Sequence, residues 1–324
     1  MIKNIVEYLD NTASIFPDKT AFVHDNISVT FAQLQNISKR IGSAIIKSGR
    51  FGNPIAIAMK NKVHSVIGFM ASAYSGNFYV PIDTEMPQAR LKKIIESLSC
   101  DMVLIDDEID GDYYNSLLNI GLKRENIILF DEISQSDIDC NLLKNVEENQ
   151  IDTDIVYTIF TSGSSGIPKG VCISHRALID HVEWFCDYFE LDSDAVFGEQ
   201  SPLYFDLSVS QLFSTIKCGG TDIFLSKKLF MSPLKLMDFV DKQRINIIYW
   251  IPSMLCAIAN LKLLEKYPLK NLKMVLFNGE EMPVKQLNIW RKALPNALFA
   301  NCYGPTEITN LCTCYVVDRE FSDE

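Results

Sequence analysis

The chain has 324 residues, a net charge of −11, and 48% hydrophobic against 22% charged residues. That length exceeds the commonest single-domain size and predicts two lobes, and the balance is that of a globular protein with a large core. The acidic surface excludes nucleic acid as a partner, because its phosphates need a basic face, but leaves room for a nucleotide held by local donors.

Nine scattered cysteines with no CxxC pair, and only four histidines, argue against a zinc site. The opening "MIKNIVEYLDNTASIF" has polar and apolar residues at helical spacing and lacks the cationic start and apolar block of a signal peptide. No apolar run is long enough to span a bilayer, and thiols of this kind suit a reducing compartment, so a cytoplasmic location without membrane insertion is expected.

In chain order, "FAQLQNISKRIGSAIIKSG" (residues 31–49) predicts an amphipathic helix closed by a glycine. "PIAIAM" predicts a buried strand, "VHSVIGFMASAYSG" a helix ending at Gly76, and "FYVPID" a short strand. "PQARLKKIIESLS" predicts a helix with proline in its first turn, followed by strands at "DMVLID" and "NIILF". Residues 131–154 are polar, acidic and poor in aromatics, which predicts a surface connection or a long irregular hairpin. The alternation then resumes with helices at "HRALIDHVEWFCDYF", "DLSVSQLFSTIKCGG" and "PLKLMDFVDKQR", and strands at "TDIFL" and "INIIYW". "LKMVLFNGE" and "ALFANCYGPTE" each end a strand in a polar loop containing glycine. Strand after helix after strand predicts an α/β fold: a two-lobed core of mostly parallel sheets covered by helices, with a lobe boundary near residues 175–200.

Between the apolar "DIVYTIF" and "VCISH" stands "TSGSSGIPKG". Thr161, Ser162, Gly163, Ser164, Ser165 and Gly166 offer hydroxyls and freely turning backbone N–H groups, and Lys169 adds a cation, a combination suited to a polyphosphate. It is not a Walker A loop, for no Lys-Ser/Thr pair follows a glycine at that spacing. In parallel sheets ligands gather outside the carboxyl ends of strands. This loop, "NGEE" from Asn278 and "YGPTE" from Tyr303 all fall at such ends, which points to one shared site.

"YTIFTSGSSGIPKGVCISH" resembles the phosphate loop of the adenylate-forming enzymes: acyl-CoA synthetases, luciferases and the adenylation domains of non-ribosomal peptide synthetases. "SPLYFDLSVSQLF" is similar to the family's FDxS segment and "NCYGPTEIT" to its NxYGPTE segment. "VTFAQL" and "AYSGNFYVPID" resemble two earlier, mostly structural signatures. The five motifs run in family order along nearly the whole chain. The resemblance implies ATP and Mg²⁺ as cofactors, with Lys169, Thr306 and Glu307 as catalytic residues and Glu307 the metal ligand. It places Asn278, Gly279, Glu280, Asn301, Tyr303, Gly304 and Thr306 around the nucleotide. Read on their own terms, Tyr303 offers a face for a purine and Glu307 a carboxylate for the metal.

Two readings of Asp206 stand side by side. It precedes "LSVSQLF" and would cap a helix. In the amino-acid-activating branch of the family the matching aspartate pairs with the substrate's α-ammonium, and a carboxylate among Phe205, Leu207 and Val209 calls for a cation. The resemblance favours an amino acid, activated to an aminoacyl-AMP and passed to the phosphopantetheine of a carrier protein, or to CoA. By offset the side-chain pocket falls near Phe205, Leu207, Ser210, Trp250, Leu276, Asn278, Cys302, Asn310 and Leu311. An inward Trp250 would favour a small side chain, whereas Asn278 and Asn310 suit a polar one. "FNGEEMPV" before "NCYGPTE" is also similar to the stand-alone D-alanine–carrier protein ligases.

The family continues with a barrel-like segment, a TGD motif and a small C-terminal domain carrying a catalytic lysine, none of which this sequence contains. The expectation is a truncated portion of a larger ligase that binds ATP or AMP weakly and turns over poorly. The alternatives are an acyl- or aryl-CoA ligase, in which Asp206 only caps a helix, and a nucleotide-binding fragment without catalysis.

Overall fold

The computed structural model describes residues 2–109, 111–162 and 168–322. Its strands are β1 (Thr20–His24), β2 (Ile27–Thr30), β3 (Pro54–Ala58), β4 (Phe78–Pro81), β5 (Met102–Ile105), β6 (Ile127–Leu129), β7 (Ile155–Thr161), β8 (Lys169–Ser174), β9 (Val196–Glu199), β10 (Thr221–Phe224), β11 (Ile247–Trp250), β12 (Met274–Phe277), β13 (Leu298–Tyr303) and β14 (Thr313–Val316). They build a six-stranded sheet, β6-β5-β3-β4-β7-β8, and an eight-stranded sheet, β14-β13-β12-β11-β9-β10-β1-β2.

Neighbouring strands run parallel in the interior of both sheets, and the antiparallel pairs β1–β2, β7–β8 and β13–β14 all lie at edges. Sequence and position agree on this. β5, β11 and β12 are apolar and buried at every residue, as strands covered on both faces must be, whereas β14 alternates exposed and half-buried. The mostly parallel α/β reading therefore holds, with antiparallel edges that the sequence did not announce.

The chain starts in the eight-stranded sheet with β1 and β2, supplies all of the other sheet from β3 to β8, and returns at β9. The crossover between Ser174 and Val196 carries the helix His175–Tyr188, capped by the Ser174 hydroxyl. Between the sheets lie the helices Lys62–Tyr74 and Leu207–Cys218, buried almost all round, as their near-continuous small and apolar residues require. Phe213 of the second helix reaches Tyr79 of β4 with ring centroids 6.5 Å apart, so one core joins the two sheets.

Residues 131–154 differ from the expectation of a bare connection. They hold the helix Cys140–Asn149, whose first turn Asp139 caps through Leu142 N at 3.2 Å. Only Val146 of that helix is buried, so its apolar stripe is too narrow to stand out from the polar residues around it.

Candidate functional site

Four chain segments carry the expected site residues, and the β7–β8 hairpin, through Cys172 and Ser174, shares a groove with Glu307 of the segment after β13. The first is the β7–β8 hairpin, in which Thr161 pairs directly with Lys169. Both stand at the mouth of the loop, with Thr161 half-buried and Lys169 exposed, while Ser162 is exposed just beyond. Gly163, Ser164, Ser165 and Gly166 lie outside the described residues. Gly170 is fixed by packing: a Cβ there would sit 2.9 Å from Thr158 Cγ2.

The second segment leaves β12. Asn278 is buried, its Nδ2 donates to Tyr249 Oη at 3.2 Å and its Oδ1 accepts from Gly279 N at 2.5 Å. Gly279 has φ +89°, a left-handed turn that lets the chain reverse at the strand end. Glu280 is exposed, and its carboxylate accepts from Ser253 N at 2.8 Å, capping the helix Pro252–Asn260, where backbone N–H groups attract a carboxylate.

The third segment leaves β13. Asn301 and Tyr303 are exposed on alternate positions of one strand face, Tyr303 at 65%. Gly304 follows because nothing larger fits, since a Cβ would meet Asn310 O at 2.3 Å. Thr306 and Glu307 then form a single 3₁₀ turn. Glu307 is exposed and borders an open groove of about 530 Å³ shared with Ser174, His181, Trp184, Thr309 and Leu311.

The fourth segment is the start of the helix Leu207–Cys218. Asp206 occupies the cap position with helical φ of −62°, and its side chain makes no cap hydrogen bond. The capping role is therefore unfilled. Burial raises the Asp206 carboxyl above its usual range and nearby Glu307 adds to that, opposed by a hydrogen bond from Thr306 and by neighbouring backbone N–H groups. Among the described residues no cation pairs with it. Phe205, the neighbour before it, is 53% exposed against Tyr204 and lies at the rim.

Below Asp206 the chain has built a pre-paired floor. Ser210 Oγ accepts from Asn310 Nδ2 at 2.5 Å and lies 2.8 Å from His181 Nε2. Burial holds the His181 pKa down at about 4, so the ring is neutral near pH 7. Leu207, Tyr249, Leu276, Cys302 and Leu311 share one apolar cluster beside these polar groups. Tyr249 Oη accepts from Asn278 Nδ2 at the edge of this cluster.

Trp250 is elsewhere. Its side chain packs in the core on the opposite face of β11, edge-on to Phe230, and its Nε1 donates to Gly198 O at 2.8 Å. Successive side chains of a strand point to opposite faces, so a one-residue slip exchanges Trp250 for Tyr249. Sequence reasoning missed Tyr249 and His181. The all-apolar run "IIYW" has no alternation from which to read the phase, and His181 reaches Ser210 only through the packing of two helices.

The chain belongs to the AMP-binding enzyme family, whose model matches residues 9–324. It is similar to a D-alanine–D-alanyl carrier protein ligase of Lacticaseibacillus rhamnosus, 31% identical over 100% of this chain and 62% of the relative. An L-proline–[L-prolyl-carrier protein] ligase of Pseudomonas fluorescens is 28% identical over 98% of this chain and 64% of its own length. The chain thus spans somewhat under two thirds of these relatives. The crystal structure of the nonribosomal peptide synthetase FmoA3 superposes with a TM-score of 0.85 at 21% identity, covering 99% of this chain and 33% of that one, and shows the same fold. Its AMPPNP-bound form superposes equally well. Among the described residues no helix is long and apolar enough to cross a membrane.

Proposed function

We propose that this chain is the nucleotide- and substrate-binding core of a ligase that activates an amino acid with ATP, forming an aminoacyl-AMP and pyrophosphate. The observation that carries the reading is Asp206, a carboxylate above a polar floor, raised by burial and paired with no cation among the described residues. An α-ammonium supplies the missing charge, and a plain carboxylic acid does not.

The parts fall into roles by position. Tyr303 presents a face for the purine, with Asn301 and Asn278 near its edge. Thr161, Ser162 and Lys169 stand at the mouth of the donor-rich loop, suited to the leaving pyrophosphate. With Asp206 holding the amine, the substrate carboxylate is directed at the α-phosphorus, and positioning supplies most of the rate. Ser210, Asn278 and Asn310 face the side chain and favour a small or polar one, as a pocket built for hydrogen bonds rejects analogues lacking them.

The donor set fits Mg²⁺. Among the described residues no three acidic, His or Cys side chains gather into a cage, and Mg²⁺ is ordinarily held by one or two carboxylates plus substrate phosphates, which Glu307 can provide. When bound, the ion neutralises charge on the phosphates. The proposed acceptor of the aminoacyl group is a phosphopantetheine thiol on a carrier protein; the similar ligases are named for carrier proteins. We place this chemistry in the cytoplasm.

The test is calorimetric titration of the AMP-saturated chain with L- and D-amino acids and with matched simple acids. Binding by one small or polar amino acid, and by no simple acid, is expected. Equal binding of the deaminated acid would transfer the site to an acyl-CoA ligase reading.

A further inference from the structure

Two thiols face each other across the last strand pair, at the edge of the apolar wall just described. Cys302 of β13 lies directly opposite Cys314 of β14, and its Sγ donates to Cys314 Sγ at 3.6 Å. The bond from Val317 N to Phe299 O, 2.8 Å long, fixes which facing pairs exchange backbone hydrogen bonds. Counting from it by twos, Asn301–Tyr315 is a bonded pair and Cys302–Cys314 falls between bonded pairs. Such pairs bring their Cα atoms to about 4.5 Å, inside the range of about 4.4–6.8 Å that a disulfide spans. The sulfurs need to close by roughly 1.5 Å, a movement that side-chain torsions supply.

Access is asymmetric. Cys302 is buried and Cys314 half-buried. The bond donated by Cys302 holds the Cys314 thiol below its ordinary range, while the same bond and burial push Cys302 up. The accessible sulfur is thus the one richer in thiolate, with a resolving thiol behind it.

We propose that Cys302 and Cys314 form a thiol–disulfide site that reacts with a small disulfide of the glutathione class and closes as a cross-strand bond. The Cys314 thiolate attacks one sulfur of the small disulfide, forming a mixed disulfide and expelling one thiolate. Cys302 then attacks Cys314 Sγ, forming the intramolecular bond and expelling the second. Two protein thiols are oxidised, one small disulfide is reduced to two thiols, and the two protein protons go to the departing thiolates.

Closure draws Cys302 Sγ toward β14 and disturbs its packing in the apolar cluster it shares with Tyr249. Tyr249 Oη in turn accepts from Asn278, so the change reaches the pocket wall. This consequence rests on the amino-acid reading of the pocket, whereas the bond itself does not.

The full chain is incubated with oxidised glutathione or with dithiothreitol and examined by intact mass and non-reducing peptide mapping. The expected oxidised product has lost two hydrogens and carries one link between residues 302 and 314. Cys314→Ser and Cys302→Ser abolish the link, and Cys312→Ser, removing an exposed neighbour, leaves it intact. A stable glutathione adduct at Cys314, a link through Cys312, or a full set of alkylatable thiols would overturn the site. The melting shift given by AMP plus amino acid is measured on both forms. It should fall several-fold on oxidation, return with dithiothreitol, and be insensitive to oxidation in Cys314→Ser. If the link forms and the shift is unchanged, the coupling to the pocket is wrong. If the reduced chain shows no amino-acid shift at all, the pocket reading fails while the mass result still decides the site.

Discussion

The rim and the floor of the candidate site are built on different terms. At the rim, Lys169, Asn301, Tyr303 and Glu307 are exposed, with side chains presented to solvent at strand ends. On the floor, Ser210, Tyr249, Asn278 and Asn310 are buried and already bonded to one another or to His181. Burying a polar group is tolerable only when it is paired, so a buried floor has to be assembled before any ligand arrives. A rim in water carries no such demand. Asp206 stands between the two regimes, part-buried with its charge uncompensated, and for that reason it is the group most in need of a ligand.

Substitutions on the floor and in the core behind it should therefore register as stability, and those at the rim as affinity. The largest effect belongs to the core behind the floor. Trp250→Ala removes a fully buried ring and should lower stability by about 3–5 kcal/mol in denaturant unfolding, with any folded protein still binding AMP. Such an outcome would also confirm that this ring lies outside the pocket.

Next comes acid. The His181 pKa is about 4 in the fold against an unfolded value of about 6.5. The unfolded state therefore binds the proton first, and the stabilisation from the neutral ring is complete above about pH 6.5 and is lost as pH falls toward 4. Buried carboxylates such as Glu199, raised to about 8, change stability with the opposite sign over part of that range. The comparison must accordingly be between the parent and His181→Gln, whose stability gap should shift by on the order of 3 kcal/mol between pH 7 and pH 4. A gap independent of pH would remove the claim of a neutral, buried ring.

Ser210→Ala is smaller. It strands Asn310 Nδ2 and His181, and should lower stability by about 1–3 kcal/mol while also weakening the amino acid. Tyr303→Ala is smallest and inverts the pattern: stability should be unchanged and AMP affinity should fall by about 1 kcal/mol, measured by calorimetry. Were Tyr303→Ala to destabilise the fold as much as Ser210→Ala, the division into rim and floor would fail.

Much of this was legible in the sequence because the periodicities are strong where the elements are long. The helices Phe31–Lys47 and His175–Tyr188, and the glycine that turns the chain after β12, follow from pattern and turn chemistry. That the loops of the candidate site follow strand ends was legible from the alternation of strands and helices on an α/β scaffold. What escaped was phase and long-range contact. β11 is buried on both faces, so nothing in "IIYW" tells Tyr249 from Trp250. Nothing local to "NGEE" shows that the Glu280 side chain caps the helix Pro252–Asn260, which starts 28 residues earlier. His181 lies 29 residues from Ser210, on a helix whose sequence signals only amphipathicity.

In the proposed function Asp206 receives the ammonium of the substrate. The most direct measurement is thermal unfolding of the parent and Asp206→Ala with AMP alone, and with AMP plus each member of an amino-acid and simple-acid panel. A ligand at 100 times its Kd stabilises by about 2.7 kcal/mol, a shift that is readily seen. AMP should raise Tm in both proteins, one amino acid should add to it in the parent only, and its deaminated analogue should add nothing. An amino-acid increment of equal size in Asp206→Ala, or one matched by the simple acid, would contradict that role.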